Sequence, residues 1–200
     1  YGASVQTLLK KASALDITMI CPLHGPVFRS KLSYICDKYK LWSSYTPESE
    51  GVLIAYGSMY GNTETTAEIL SVMLAEAGIT DIHVRDISRT HVSELVADAF
   101  KYRHIVLASP TYNGGIYPLM ESFVTDMKAL GLQNRTFAVI ENGTWAPAAG
   151  RLLHKVLEEM KNSTILAPTV SLKSTLSKDS LDQLILLKEA ICQSSSAQKV

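Results

Sequence analysis

Three short stretches of the sequence carry residue types suited to holding a ligand. The first, Gly57-Ser-Met-Tyr-Gly-Asn-Thr63, follows an apolar run at residues 52–56 and precedes a helical pattern. Amides at the start of a helix have no intrahelical partner and carry positive potential, so this turn can hold a phosphate. Ser58, Asn62 and Thr63 add short polar side chains, and Gly57 and Gly61 let the backbone turn tightly and approach an anion. The turn contains no Lys or Arg, which argues against the GxxxxGK[ST] loop of nucleoside triphosphatases, and its glycine spacing does not match GxGxxG. What remains is a single terminal phosphate held by amides and hydroxyls. The alternative is that Ser58 or Asn62 merely caps the helix.

The second stretch, Ser109-Pro-Thr-Tyr-Asn-Gly-Gly115, reads as a loop after another apolar run. Pro110 fixes one backbone angle and Gly114-Gly115 permit unusual ones, so peptide groups can press against a flat ligand; an ordinary turn with a surface tyrosine is the alternative. In the third, Glu141-Asn-Gly-Thr-Trp-Ala-Pro147, a tryptophan sits in a polar, Gly-containing loop with no core to fill. It can stack on a ring or pack on its own helix. Together the three stretches suit a planar, phosphorylated ring system.

The segments that must position these loops alternate regularly. Residues 52–56, 82–87, 105–108, 137–140 and a segment within 164–172 read as strands, mostly continuous apolar runs expected of strands buried on both faces. Between and after them, residues 61–77, 92–100, 119–130, 152–160 and 181–191 have helical spacing, with Gly78 placed as a C-cap. The alternation predicts an α/β fold, a doubly wound five-stranded parallel sheet with helices on both faces. Pro168 lacks an amide donor and belongs on an edge strand. Strand order 2-1-3-4-5 puts it there, and leaves a crevice at the carboxyl ends of strands 1 and 3, beside all three loops.

Residues 1–48 do not fit this alternation. They suggest a helix at 5–15, a strand at 17–21 and a helix at 30–45, too little to close a core. A Pro-, Ser- and Glu-containing linker at residues 45–50 separates them from a domain at 49–193, and residues 194–200 read as a disordered tail.

Composition narrows the function further. Lys and Arg number 19 against 19 Asp and Glu, with no basic run, so a nucleic-acid partner is not expected. No apolar stretch nears the roughly 20 residues of a membrane span, and no signal peptide is visible. The chain opens on Tyr1, so a fragment of a longer protein is expected. Cys21, Cys36 and Cys192 lack CxxC spacing and read as small buried hydrophobes of a reducing, cytoplasmic protein. The scattered His83, His91, His104 and His154 read as structural, and no Ser/His/Asp set or acid–base carboxylate pair emerges.

In order and spacing, GSMYGNTETTAE, SPTYNGG and ENGTW resemble the three cofactor loops of a flavodoxin-type FMN domain. The first loop is similar to that of the flavodiiron proteins (A-type flavoproteins) rather than to free flavodoxins. Ile20-Cys-Pro-Leu-His-Gly-Pro-Val27-Phe-Arg29 resembles the end of that family's metallo-β-lactamase-like domain, including its last histidine ligand. The resemblance implies that residues 1–48 are the remnant of that domain and that 49–193 bind FMN. Ser58, Tyr60, Gly61, Asn62 and Thr63 would hold the phosphate. Met59, Tyr112, Asn113, Gly114, Gly115 and Trp145 would surround the ring, with Pro110, Thr111, Asn142, Gly143 and Thr144 completing the site. The implied intact enzyme is a flavin-dependent oxidoreductase that reduces O2, NO or both at a di-iron centre missing from this fragment, which would be its electron-transfer domain. The family's HxExDH cluster is absent from this sequence, and His24 alone cannot build that centre, so no metal ligand is expected here. Ala146-Pro147 also stand where the family often has a Gly after its Trp. The implied electron donor is a rubredoxin, a reductase or a deazaflavin, and the implied assembly is a head-to-tail homodimer or higher oligomer. A flavodoxin-like electron carrier, a flavodoxin-fold module without flavin and a flavin-dependent quinone reductase are the alternatives.

Overall fold

A computed structural model of the protein describes residues 1–196. The chain forms two compact units, Tyr1–Glu48 and Ser49–Val200. The first contains helices α1 (Gly2–Ala12) and α2 (Leu32–Ser44), with Gln6 Nε2 donating to the Lys40 carbonyl at 3.1 Å. Neither helix has a buried residue. The strand expected at 17–21 does not form: an isolated bridge joins Ile20 to Phe28, and Pro22 and Pro26 between them have no amide to extend the pairing.

The second unit is the α/β layer structure. In chain order it runs β1 (Ser49–Tyr56), α3 (Asn62–Glu76), β2 (Ile82–Asp86), α4 (Val92–Lys101), β3 (Tyr102–Tyr112), β4 (Gly115–Ile116) and α5 (Pro118–Ala129). It continues with β5 (Thr136–Asn142), α6 (Ala149–Leu157), β6 (Thr164–Ile165), β7 (Val170–Leu172) and α7 (Lys178–Ser196). The main parallel order is β2-β1-β3-β5-β6, with β7 also on β5. This is the expected 2-1-3-4-5 arrangement once the two-residue β4 is set aside. The last strand is split around Pro168, where an amide donor is missing. Thr164–Ile165 pair with the start of β5 and Val170–Leu172 with its end.

Alternation along the central strands explains their continuous apolar character. Leu53, Ala55, Ile105, Leu107, Phe137 and Val139 pack on one face with Leu95, Phe123, Met127 and Leu153 from α4, α5 and α6. Val52, Ile54, Val106, Ala108, Ala138 and Ile140 pack on the other with Leu70 and Leu74 from α3 and Leu184, Leu187 and Ile191 from α7. A sheet covered on both faces leaves its carboxyl-end loops as the exposed working surface.

Two buried polar side chains tie the opposite end together. Arg135 is almost fully buried and donates to the carbonyls of Ala99 and Phe100 at the end of α4, and to those of Gln133 and Asn134. Burial brings its pKa down to about 10, with the nearby Arg103 charge acting in the same direction. His104 bridges the Glu50 carbonyl at 3.3 Å and Ser194 Oγ at 3.1 Å. That bridge helps explain a correction: Ser194–Ser196 are not a disordered tail but the last turn of α7, with Ser195 buried. Residues 197–200, the rest of that expected tail, lie outside the described residues. The cysteines also depart from expectation. Cys21 is exposed, while Cys36 and Cys192 are half-buried, and all three are free thiols.

Burial lowers the His104 pKa from its ordinary 6.5, opposed by the Glu50 carbonyl and carboxylate and assisted by Arg103. The unfolded chain therefore binds the proton more readily. Stability from this group is fully present above the unfolded value and is lost as pH falls through it toward the folded value. Urea unfolding between pH 8 and pH 5.5 is expected to show a steeper loss of stability for the parent protein than for His104→Asn.

Candidate cofactor site

The loops after β1 and β5 and the last residues of β3 converge on one cleft lined by Ser58, Met59, Tyr60, Asn62, Thr63, Pro110, Thr111, Asn142, Gly143 and Thr144. Ser174, from the turn after β7, lines it too. Of the residues singled out in the sequence, Gly61 supplies a turn rather than a wall: its φ of 85° is left-handed backbone that glycine adopts without strain. Gly57 has a different role from the one expected. A Cβ there would lie 2.7 Å from Tyr117 Cδ1, so its missing side chain serves close packing.

Tyr112, Asn113, Gly114 and Gly115 are outside the cleft lining. They form a β-hairpin rather than an open loop, with Thr111 paired to Ile116 and Tyr112 to Gly115. Asn113 and Gly114 both have positive φ, at 49° and 73°. An Asn-Gly pair matches the backbone twist of a two-residue hairpin, a local signal strong enough to extend β3 through Pro110 and Thr111. Trp145 is 96% exposed, which removes packing on its own helix as its role. With Tyr60, at 89%, it forms exposed aromatic surface on the same loops.

Two helices begin at this edge, and they begin differently. At α6, Thr111 Oγ1 accepts from the amides of Ala148 at 2.9 Å and Ala149 at 3.2 Å. Glu141 Oε2 accepts from the Gly150 amide at 2.8 Å, and Glu141 Oε1 accepts from Ser171 Oγ. The protein thus satisfies the start of α6 with its own oxygens. At α3 the N-cap is Gly61, which has no side chain to cap the helix, and among the described residues no side-chain oxygen is seen to accept from the Asn62, Thr63 or Glu64 amides. Ser58 Oγ accepts from the Gly61 amide at 3.0 Å, ordering the turn before the helix without occupying its first-turn donors. Thr63, nearly fully buried, receives a hydrogen bond on Oγ1 from Asn142 Nδ2. Tyr56 donates to Glu64 Oε1 in the same helical turn, and burial, reinforced by that carboxylate, pushes the phenol pKa well above its ordinary value. The chemistry available is recognition of an anion by backbone donors and hydroxyls, without a cationic side chain among the residues lining the cleft.

The flavodoxin family model matches residues 54–186, which include all three loops. The chain belongs to the flavodoxin family. Among curated relatives, it is 24% identical over 197 residues to rubredoxin-oxygen oxidoreductase of Megalodesulfovibrio gigas, covering 98% of this chain and 48% of that protein. It is 26% identical over 154 residues to nitric oxide reductase of Moorella thermoacetica, covering 77% of this chain and 38% of that one. The solved rubredoxin oxygen:oxidoreductase from Desulfovibrio gigas superposes with a TM-score of 0.88 at 23% identity, over 98% of this chain and 49% of that chain. The chain therefore spans less than half the length of the curated relatives it matches. The likeness of this flavodoxin-family chain to that solved structure is one of fold.

The paired caps on α6 can be tested without any ligand. Thr111→Val keeps the side-chain shape but removes the acceptor for two amides. Chemical denaturation is expected to show a loss of about 1–2 kcal/mol.

Proposed function

We propose that this chain is the FMN-binding electron-transfer part of a flavodiiron-type oxidoreductase. The observation that carries the reading is the cleft itself. A helix start with Gly61 at its N-cap, ordered by Ser58, lies at a pocket shared with Pro110 and Thr111 of β3 and with Asn142, Gly143 and Thr144. The phosphate of FMN fits the α3 start, with Ser58, Tyr60, Gly61, Asn62 and Thr63 around it. Met59, Pro110, Thr111, the residues from Tyr112 to Gly115, Asn142, Gly143, Thr144 and Trp145 would bind and orient the rest of the cofactor. The flavin, when bound, supplies the electron-transfer chemistry; the chain supplies binding, orientation and the electrostatic surroundings.

The similarity to an oxygen-reducing and a nitric-oxide-reducing enzyme supports O2 or NO reduction as the activity of the intact protein, at a di-iron centre outside this sequence. Residues 1–48 would then be the end of its metallo-β-lactamase-like domain, and residues 49–193 the FMN domain. A rubredoxin, a reductase or a deazaflavin would donate electrons, in a cytoplasmic homodimer or larger oligomer. No helix among the described residues is long and apolar enough to cross a membrane. The second reading is a separate flavodoxin-like carrier, favoured by the family match lying entirely within Ser49–Val200.

Adding FMN to the flavin-free chain is expected to give saturable uptake of about one flavin per chain, with a perturbed flavin absorption spectrum and retention on desalting. A chain that remains colourless after FMN addition and desalting would sink this reading. An encoded upstream HxExDH-bearing domain would favour the oxidoreductase over the carrier.

A further inference from the structure

The turn after β7 was not among the loops expected to form the site, yet Ser174 lines the same cleft as Ser58, Asn62 and Thr63. Its backbone has φ 80°, a left-handed conformation that is uncommon for a residue with a side chain. The Asn142 side chain holds that conformation at two points. Asn142 Oδ1 accepts from the Ser174 amide at 3.0 Å, and Asn142 Nδ2 donates to the Ser174 carbonyl at 2.9 Å. The same Nδ2 lies 3.3 Å from Thr63 Oγ1 and donates to it. One largely buried amide therefore joins the end of β5, the first turn of α3 and the turn after β7. Its hydrogen-bonding groups satisfy Ser174's backbone, while Ser174 itself remains exposed at the cleft.

We infer that Ser174 is a fourth-loop ligand for the cofactor's phosphate end, and that Asn142 is the positioning residue that holds it beside Thr63. This rests on the FMN reading and adds a specific prediction to it. A residue that only closes the fold would affect all flavins alike, whereas a hydroxyl directed to the phosphate distinguishes FMN from riboflavin. The contact is made by the hydroxyl, because the Ser174 amide and carbonyl are already engaged by Asn142.

The test is fluorescence titration of the full 200-residue chain with FMN and with riboflavin, comparing the parent protein, Ser174→Ala, Asn142→Ala and the double variant. Ser174→Ala is expected to weaken FMN about tenfold while changing riboflavin less than about twofold, as loss of one hydrogen bond to a charged group implies. Asn142→Ala should weaken FMN at least as much, and adding Ser174→Ala to it should cost less than about twofold more, since the hydroxyl is no longer held in place. Unchanged FMN affinity in Ser174→Ala, or equal weakening of both flavins, overturns the assignment while leaving the FMN reading intact. Failure of the parent protein to bind FMN overturns both. Ser174→Ala and Ser174→Gly decide the hydroxyl's role if Asn142→Ala does not fold: both should show the same FMN-selective loss, and retention of FMN affinity by either contradicts it.

Discussion

A helix start presents amides that the helix cannot satisfy, and the two helices beginning at the cleft meet this constraint in opposite ways. At α6, Thr111 reaches across from β3 and Glu141 from β5, supplying oxygens to three consecutive amides. At α3, Gly61 occupies the N-cap and offers no side chain, while Ser58 is engaged one residue earlier in the turn. The contrast gives the edge of the sheet one internally satisfied helix and one available to an anion. The polar groups between them are shared: Thr111 and Asn142 both line the cleft and both tie one loop to another.

That arrangement depends on rigid placement of the strand ends. The central strands are buried on both faces, so a register shift would move apolar side chains between two separately packed layers. α3 is fixed by Ala67, Leu70 and Leu74, and α6 by Ala149, Leu153 and Leu157. Arg135 and His104 do comparable work at the other end of the sheet, where the strands enter. Hydrogen bonds from Arg135 and His104 thus tie the strand-entry end together, while Tyr60 and Trp145 are exposed on the loops at the opposite end.

Much of this was legible locally. Apolar runs marked the central strands, helical spacing marked the layers on either side, and Pro168 placed the split last strand at an edge. The convergence of the first and third loops was legible because Ser58, Asn62 and Thr63 follow one apolar strand and Asn142, Gly143 and Thr144 another, and all six line the cleft. Asn113-Gly114 carried a hairpin signal that an open-loop reading passed over. Other features depended on distant partners. Ser174 gains its place from Asn142, 32 residues away in sequence. Gly57 is explained by Tyr117, and the end of α7 by His104. None of these contacts has a periodic signature, so periodicity could not find them.

The central claim, that the start of α3 rather than that of α6 receives the anion, is tested most directly by amide NMR during titration with inorganic phosphate. This probe has no aromatic ring to shift neighbouring signals. The account predicts saturable downfield movement of the Asn62, Thr63 and Glu64 amides, with Ala148, Ala149 and Gly150 nearly unchanged because Thr111 and Glu141 already occupy them. Movement centred on residues 148–150, or no saturable movement at residues 62–64, would contradict it.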